Sequence, residues 1–453
     1  MNQTKRLIAQ GIQKNRRRLW DWHLELAAKM PPAFYCSVDL RDSGNKIVPV
    51  DSNLFPAGFN NVCPEDQRTA PPIARANIEA LMARMNRPEA KRILIIPESH
   101  TSNLYYWENA HALSSILSNA GYEVRFGWYG QPPMPATGPD GEFKLKTVTE
   151  KEVAIHSFEI KDGDVMSGSF RPDLVLLNND FSSGYPKILD GVCQPVVPSH
   201  RLGWHSRKKS DHFLHYNRLA REFAEIIGID PWTVTIDTEE SGPVNFNEEK
   251  GIDQVANQVE KMLARLTTEY AARKINRKPF VFVKNNSGTY GMGIMVVHDA
   301  NELREMNRRT KNKMSVGKNR LPIESVAIQE GVPTATLVDR LPAEPVIYLF
   351  GYETIGGFLR TNSERGDEDN LNSQGMVFRK LCMTDLRRPL AEDPWANQDS
   401  SKALETANPG ADTADADEPE PVLELVYGSI ARLSALATAL EIQASGTPIA
   451  ECH

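Results

Sequence analysis

The sequence predicts an α/β protein of the α+β kind in two domains. The first, residues 1–200, reads as an α/β sheet domain, and the second, 201–453, as one built on an antiparallel sheet with helices. Three observations carry this. An apolar run at 92–97 (RILIIP), a helical stretch at 104–120 and a second run at 122–126 make a strand–helix–strand unit, the building block of a parallel sheet. Beyond residue 210, short β-rich runs come in pairs around a glycine loop, which points to antiparallel pairing. A chain of 453 residues with 40% hydrophobic and 25% charged content supports a sizeable core shared between domains.

In chain order, residues 5–28 set Ile8, Ile12, Leu19 and Leu26 near helical spacing and read as one amphipathic helix. The stretch 34–69 interleaves Ser37, Asp39, Arg41, Asp42, Asp51, Asn53, Asn60 and Asn61 with Phe34, Tyr35, Phe55 and Phe59. It reads as a turn-rich segment outside regular elements, either a ligand-binding loop held on a scaffold or a well-packed connection. Glu98-Ser99-His100 follows the first strand, and Asn178-Asn179-Asp180 follows another at 174–177. Polar residues in those places stand where open α/β sheets bind ligands, although Ser99 and Thr101 serve equally well as helix caps. Helices at 211–227 and 251–269 precede strands at 280–284, 294–298, 326–329 and 346–350, with a helix near 300–309. The Ala-, Asp-, Glu- and Pro-rich segment 403–421 has little to bury and reads as a disordered acidic insertion. A helix at 422–441 follows, with Leu423, Val426, Ile430, Leu433 and Leu440 as its apolar stripe.

Composition excludes several classes. With 52 Lys and Arg against 59 Asp and Glu, the net charge of −7 lacks the basic excess of a nucleic-acid binder. No segment approaches the ~20 consecutive apolar residues of a membrane helix, and the basic first 18 residues hold no apolar signal core. The cysteines, at 36, 63, 193, 382 and 452, include no CxxC pair, which favours reduced thiols and a cytoplasmic protein. His200, His205, His212 and His215, with Cys193 upstream, lack the tight spacing of zinc ligands.

The most informative stretch is FVFVKNNSGTYGMGIMVV at 280–297. A β run ends in Lys284, crosses a loop holding Ser287, Gly288, Thr289, Gly291 and Gly293, and re-enters a β run. Glycines let backbone N–H groups approach an anion, the hydroxyls add donors, and Lys284 supplies a point charge suited to phosphate. A Walker loop places its lysine after the glycines, and both it and the Rossmann fingerprint open a helix, so neither applies. A loop of this length exceeds the usual 2–5 residues of a hairpin connection.

Strand, lysine, glycine loop and strand in this order resemble the ATP-grasp ligases. Val326-Ala-Ile-Gln329-Glu330-Gly331-Val332 looks like the strand and hinge that hold adenine and ribose in that superfamily. The run from Val346 to Arg360 resembles its next strand pair, ending in an arginine that stabilises the transferring phosphoryl group. Asn370-Leu-Asn372-Ser-Gln-Gly375 is similar to the substrate loop of bacterial glutathione synthetase, and Arg207-Lys208-Lys209 resembles the segment with the first ATP-binding lysine, either Lys208 or Lys209. Over nearly the full length, the chain resembles the proteobacterial-type glutamate–cysteine ligases. The segments FYCSVDLRDSGNKIVPVDSNLFPAGFNN at 34–61, PESHTSNLYYWEN at 97–109 and KNNSGTYGMGIM at 284–295 carry that likeness.

The resemblance implies an ATP-grasp module in the second domain, ATP and Mg²⁺ as cofactors, and glutamate and cysteine as small-molecule substrates. It implies an ATP-dependent ligase that makes γ-glutamylcysteine through a γ-glutamyl phosphate, the first step of glutathione biosynthesis. Two other readings are a related ligase with a different amine acceptor and a nucleotide-binding protein without catalysis. Lys284 and Arg360 are then the catalytic candidates. Arg41, Asn53, Asn60, Glu98, His100, Asn370 and Asn372 are candidates for the amino-acid substrates, with Arg41 offered to the glutamate α-carboxylate. One departure stands out: the superfamily's Glu-x-Asn magnesium motif does not follow the asparagine-rich loop, which leaves the metal ligands unassigned.

Overall fold

The structure is a computed structural model that describes residues 2–98, 103–130, 133, 135–136, 138, 141–181, 186–288, 293–315, 323–381 and 424–448. The acidic segment 403–421 lies outside the described residues.

A mostly parallel sheet occupies the first half of the chain. Its strands run in the order Val196–Val197, Leu174–Asn178, Arg92–Pro97, Glu123–Trp128, Glu152–Ser157 and Phe143–Lys146, with only the last pair antiparallel. The helix Leu104–Asn119 makes the crossover expected from the sequence. It starts where the Asn103 side chain accepts the N–H of Tyr106, which satisfies one orphan donor of its first turn.

The second sheet is antiparallel and runs Met376–Leu381, Glu353–Asn362, Leu341–Phe350, Tyr35–Asp42 and Ile47–Asn53, with Leu337–Val338 paired beside Leu341–Phe350. Here the structure corrects two expectations. The polar stretch after residue 34 is a strand hairpin, and it is hydrogen-bonded into a sheet made otherwise of residues 337–381, so that sheet crosses the boundary drawn at residue 200. The polar residues hid the strands because successive strand side chains face opposite ways. Cys36, Val38 and Leu40 enter one hydrophobic core while Ser37, Asp39 and Arg41 stand on the opposite face.

That opposite face has two ends. At one, Tyr35, Tyr348, Phe350 and Phe358 pack against the helix Pro64–Arg84 and, through it, the parallel sheet. At the other, a third sheet lies over the charged residues, with strands in the order Thr238–Ser241, Val326–Glu330, Val281–Asn285 and Ile294–Val297, all antiparallel. The helix Ile252–Ala272 backs this sheet through a separate core.

The helix expected at 422–441 is a π-helical turn, Glu424–Gly428, running into the α-helix Ser429–Ser445. By length and composition it could cross a membrane, but 94% of that apolar window is buried inside the protein. It is therefore buried nearly all round rather than along one stripe, with Arg432, Ser434, Thr438 and Glu441 enclosed among its apolar residues, and it packs against the helix Lys209–Ile227 and the antiparallel sheet. The N-terminal helix is in fact two, Gln3–Lys14 and Arg16–Lys29, divided at Asn15, whose ψ of 18° leaves the helical range. Cys36 and Cys193 form no disulfide, but Cys63 is disulfide-bonded, against the expectation of reduced thiols throughout. Wide spacing in sequence says little about pairing when a sheet brings residues 60 and 380 together, as the 3.2 Å ion pair of Glu65 with Lys380 shows.

Candidate active site

The charged end of the antiparallel sheet gathers seven ionisable side chains. Asp39 and Asp51 face each other across the hairpin. Asp39 accepts Nη1 of Arg360 at 2.7 Å, and the same Nη1 donates to Glu344 Oε1 at 2.9 Å. The Arg360 Nε is buried with no hydrogen-bond partner. Burial pushes the Asp39 carboxyl up; Arg360 pulls it back, and the charges of Glu344 and Asp51 push it further up. For Asp51 burial also works against ionisation, but Lys209 and Lys284 outweigh it and hold the carboxyl below its usual range. Lys209 Nζ reaches Asp51 Oδ1 at 2.5 Å.

Lys284 is fully enclosed at the junction of the two antiparallel sheets. Its Nζ donates to the Val50 carbonyl at 3.1 Å and to Gln329 Oε1 at 2.7 Å, and Gln329 passes a hydrogen bond on to Thr238. Burial lowers its pKa to about 7; the pull of Asp51 does not offset that, and Lys209 and Arg41 depress it further. Burial thus disfavours the charged form of this lysine, and an anion beside it would favour that form.

The glycine loop is tied to the start of the helix Lys209–Ile227. Ser287 Oγ donates to the Arg207 carbonyl at 2.8 Å and the Lys209 N–H to the Asn286 carbonyl at 2.8 Å. A Cβ at Gly288 would fall 2.4 Å from the Asn285 amide; Gly293 has φ +62° and its Cβ would meet Ile323 at 2.5 Å, so both positions exclude larger residues. Thr289 and Gly291 lie outside the described residues, as does His100. The two lysines differ in space: Lys209 is buried in the cluster, while Lys208 is turned to Glu240 at 2.8 Å and partly exposed.

The other candidates each make contacts within the protein. Arg41 is 2% exposed, and its guanidinium serves the protein itself: Nε meets Glu344 at 3.1 Å, Nη1 the carbonyls of Val332 at 3.1 Å and Asp367 at 3.2 Å, and Nη2 that of Asp369. It clamps the hinge to the 367–369 loop, which leaves no open edge for an α-carboxylate. Glu330, expected at ribose, holds Lys46 Nζ with both oxygens at 2.7 Å and also accepts the Asp237 N–H. Val332 is buried beside it and presents its carbonyl to Arg41. Glu98 is buried at the end of its strand, where its N–H meets the Tyr106 hydroxyl at 2.9 Å. Asn60 donates to Asn61 in a short turn, and Asn53 ends the strand that carries Asp51. Asn370 and Asn372 close a small loop on each other.

That loop and the strand that leaves the glycine loop line one cleft. A cleft of about 690 Å³ is lined by Gly293 to Val296 on one side, Asp369, Asn370, Asn372 and Gln374 on the other, and the cations Lys313 and Arg365. Distant segments expected to touch nucleotide and amino acid therefore share one opening.

Sequence reasoning missed Asp39, Asp51 and Glu344. Asp51-Ser52-Asn53 has an acid-x-asparagine spacing, but it lies far upstream of the asparagine-rich loop, and only the sheet order sets Asp51 across from Asp39, the partner of Arg360. Among the described residues, no group of three or more His, Cys, Asp or Glu gathers as a metal cluster. His200 pairs with Asp190, and His212 with Glu441 and Ser434.

The fold is shared with a solved structure from Methylobacillus flagellatus KT, described as a "putative gamma-glutamylcysteine synthetase". The two chains are 35% identical over 96% of each, with a TM-score of 0.81. Comparison with curated proteins returned no match. The class defined by this fold is a ligase. The model of the GshA glutamate–cysteine ligase family matches residues 9–442, and the chain belongs to that family. It is an ATP-dependent enzyme that joins glutamate to cysteine.

Proposed function

We propose that the charged end of the antiparallel sheet is where ATP phosphorylates the γ-carboxylate of glutamate, and that cysteine's amine then attacks the γ-glutamyl phosphate. The observation that carries this reading is the convergence of Lys284, Lys209 and Arg360 on the Asp39–Asp51 pair beneath the glycine loop. Phosphoryl transfer is chiefly a matter of position and of charge stabilisation. Lys284 and Lys209 would hold the phosphates, with Ser287, Gly288 and Gly293 shaping the loop over them. The Arg360 Nε, lacking an acceptor, is the donor left for the transferring group. Gln329 orients Lys284, and the hinge at Glu330–Val332 flanks the nucleotide.

Magnesium fits the residues present. Asp39 and Asp51 supply two opposed carboxylates and Asn53 an amide on the same strand as Asp51, an oxygen set suited to an ion that also binds substrate phosphates. Bound there, the ion would offset phosphate charge. Because Arg41 is engaged elsewhere, Arg365 and Lys313 in the 690 Å³ cleft are the cations offered to an amino-acid carboxylate. The substrates are small charged metabolites of the cytoplasm.

The direct test is ADP release with Mg-ATP alone, with glutamate, with cysteine, and with both. Strong release only with both, accompanied by the mass of γ-glutamylcysteine, supports the reading. Release with glutamate and another amine but not cysteine overturns the named product.

A further inference from the structure

Outside the cluster just described, one buried ion pair touches both halves of the site. Arg207 donates Nε and Nη2 to the two oxygens of Glu441 at 2.7 and 2.8 Å, and both side chains are at least nine-tenths buried. Glu441 sits near the end of the C-terminal helix, on the opposite side of the hairpin from the glycine loop. Arg207 Nη1 reaches the Ser52 carbonyl at 3.4 Å, between Asp51 and Asn53, while its own carbonyl accepts Ser287 Oγ from the glycine loop. Its guanidinium lies 4.8 Å over the Trp204 ring, and Lys209 shares that ring at 4.2 Å. Burial disfavours the Glu441 carboxylate, yet the charge of Arg207, its hydrogen bonds and His212 hold that carboxyl down at about 2.

We infer that Glu441 and Arg207 are positioning residues: the carboxylate holds the guanidinium away from Asp51, and the guanidinium fixes the strand of Asp51 and Asn53 relative to the glycine loop. This rests on the reading of Asp51 as part of the phosphate and magnesium site. The energetic reason is local. A buried arginine that loses its carboxylate seeks another, because an unpaired buried charge is strongly unfavourable. The candidate beside it is Asp51, whose field already acts on Arg207. Arg207 would then compete for the oxygens offered to the cation. The C-terminal helix, with no candidate catalytic group of its own, would thus govern cation affinity.

The test compares Glu441→Gln, Glu441→Asp and Asp51→Asn in the full-length protein. Two quantities are read: calorimetric binding of ADP as Mg²⁺ is titrated, which needs no turnover, and kcat with KM for ATP. Glu441→Gln should raise the Mg²⁺ concentration at half-maximal ADP binding about tenfold, with Glu441→Asp staying within about twofold of wild type. An unchanged midpoint in Glu441→Gln, with only a lower melting temperature, overturns the proposal. Should Glu441→Gln fail to fold, Arg207→Lys replaces it. That variant keeps the charge, loses the reach to Ser52, and should raise the midpoint about fivefold; no rise overturns the proposal. Asp51→Asn separates the two levels. If it leaves the midpoint at the wild-type value, the underlying site assignment fails. If it raises the midpoint while Glu441→Gln and Arg207→Lys do not, only the positioning role fails.

Discussion

Two buried polar clusters flank the aromatic middle of the molecule, and they are built in opposite ways. At the ends of the parallel strands the cluster is neutral. Asn178 donates to the Pro56 carbonyl at 2.9 Å, Tyr106 donates to the Asn178 carbonyl at 2.7 Å, and Asn109 both donates to Asn178 and accepts the N–H groups of Gly58 and Phe59. Every partner is supplied by the protein, so the network is complete as it stands and pins the 54–61 loop. At the charged end of the antiparallel sheet, three carboxylates meet four cations, Arg360 keeps a buried Nε without an acceptor, and Lys284 is depressed to about 7. A finished network stabilises a fold, whereas an unfinished, highly charged one is shaped for something that is not protein.

The sharpest way to break this contrast is Lys284→Met. On the proposed assignment it lowers kcat on the order of 10³-fold, as loss of a preorganised charge at a developing anion does. The melting temperature should hold or rise, since an enclosed lysine is replaced by an apolar side chain. Steady-state ADP release and thermal unfolding check both. A large loss of stability with kcat retained would make Lys284 an ordinary core lysine.

The same residue fixes a pH dependence. The lysine pKa is 10.5 in the reference state and about 7 in the ligand-free protein. Between those values the unfolded chain binds more protons than the folded one, so the Lys284 contribution raises stability as pH rises through that window. Lys284→Met removes that slope from a plot of unfolding free energy against pH. Because bound phosphate would restore the charge, ATP binding near pH 8 should take up a proton, read as a dependence of the calorimetric heat on buffer ionisation enthalpy.

Next in size comes Asp51→Asn, expected to lower kcat on the order of 10²-fold and to raise the magnesium requirement. In the neutral cluster Asn109→Ala should act oppositely. It leaves the N–H groups of Gly58 and Phe59 without an acceptor, removes one donor from Asn178 Oδ1 and costs about 2 kcal/mol of stability, with KM for ATP unchanged. If Asn109→Ala altered ATP affinity while Asp51→Asn did not, the roles of the two clusters would be exchanged.

How much of this was legible in the sequence follows from what each signal depends on. The strand–helix–strand at 92–126 and the glycine-loop hairpin were visible because periodicity and turn chemistry are local. The hairpin at 35–53 was not, because its partner lies some 300 residues on and about half its side chains are polar or charged. Those charges look like loop composition until the sheet buries them against Arg360 and Lys209. The acid-x-asparagine spacing of Asp51 and Asn53 was likewise in plain view but at an unexpected place along the chain. Arg41 misled for the converse reason: a lone arginine among polar residues advertises an anion site, and only its four protein acceptors show that it is already spent.

The smallest predicted effect is the most discriminating, because it separates two neighbours of one residue type. Lys208 and Lys209 were equivalent as sequence. In the fold Lys208 precedes the first turn of its helix and reaches outward to Glu240, an exposed pair of the kind usually worth less than about 1 kcal/mol. Lys209 begins the turn, lies on Trp204 and neutralises Asp51. Lys208→Ala should therefore keep KM for ATP within about twofold of wild type. Lys209→Ala should raise it on the order of thirtyfold, because the carboxylate left behind is buried and repels the incoming phosphates. Equal effects from the two would mean that ATP binds outside this cluster, and the division between a finished and an unfinished network would lose its meaning.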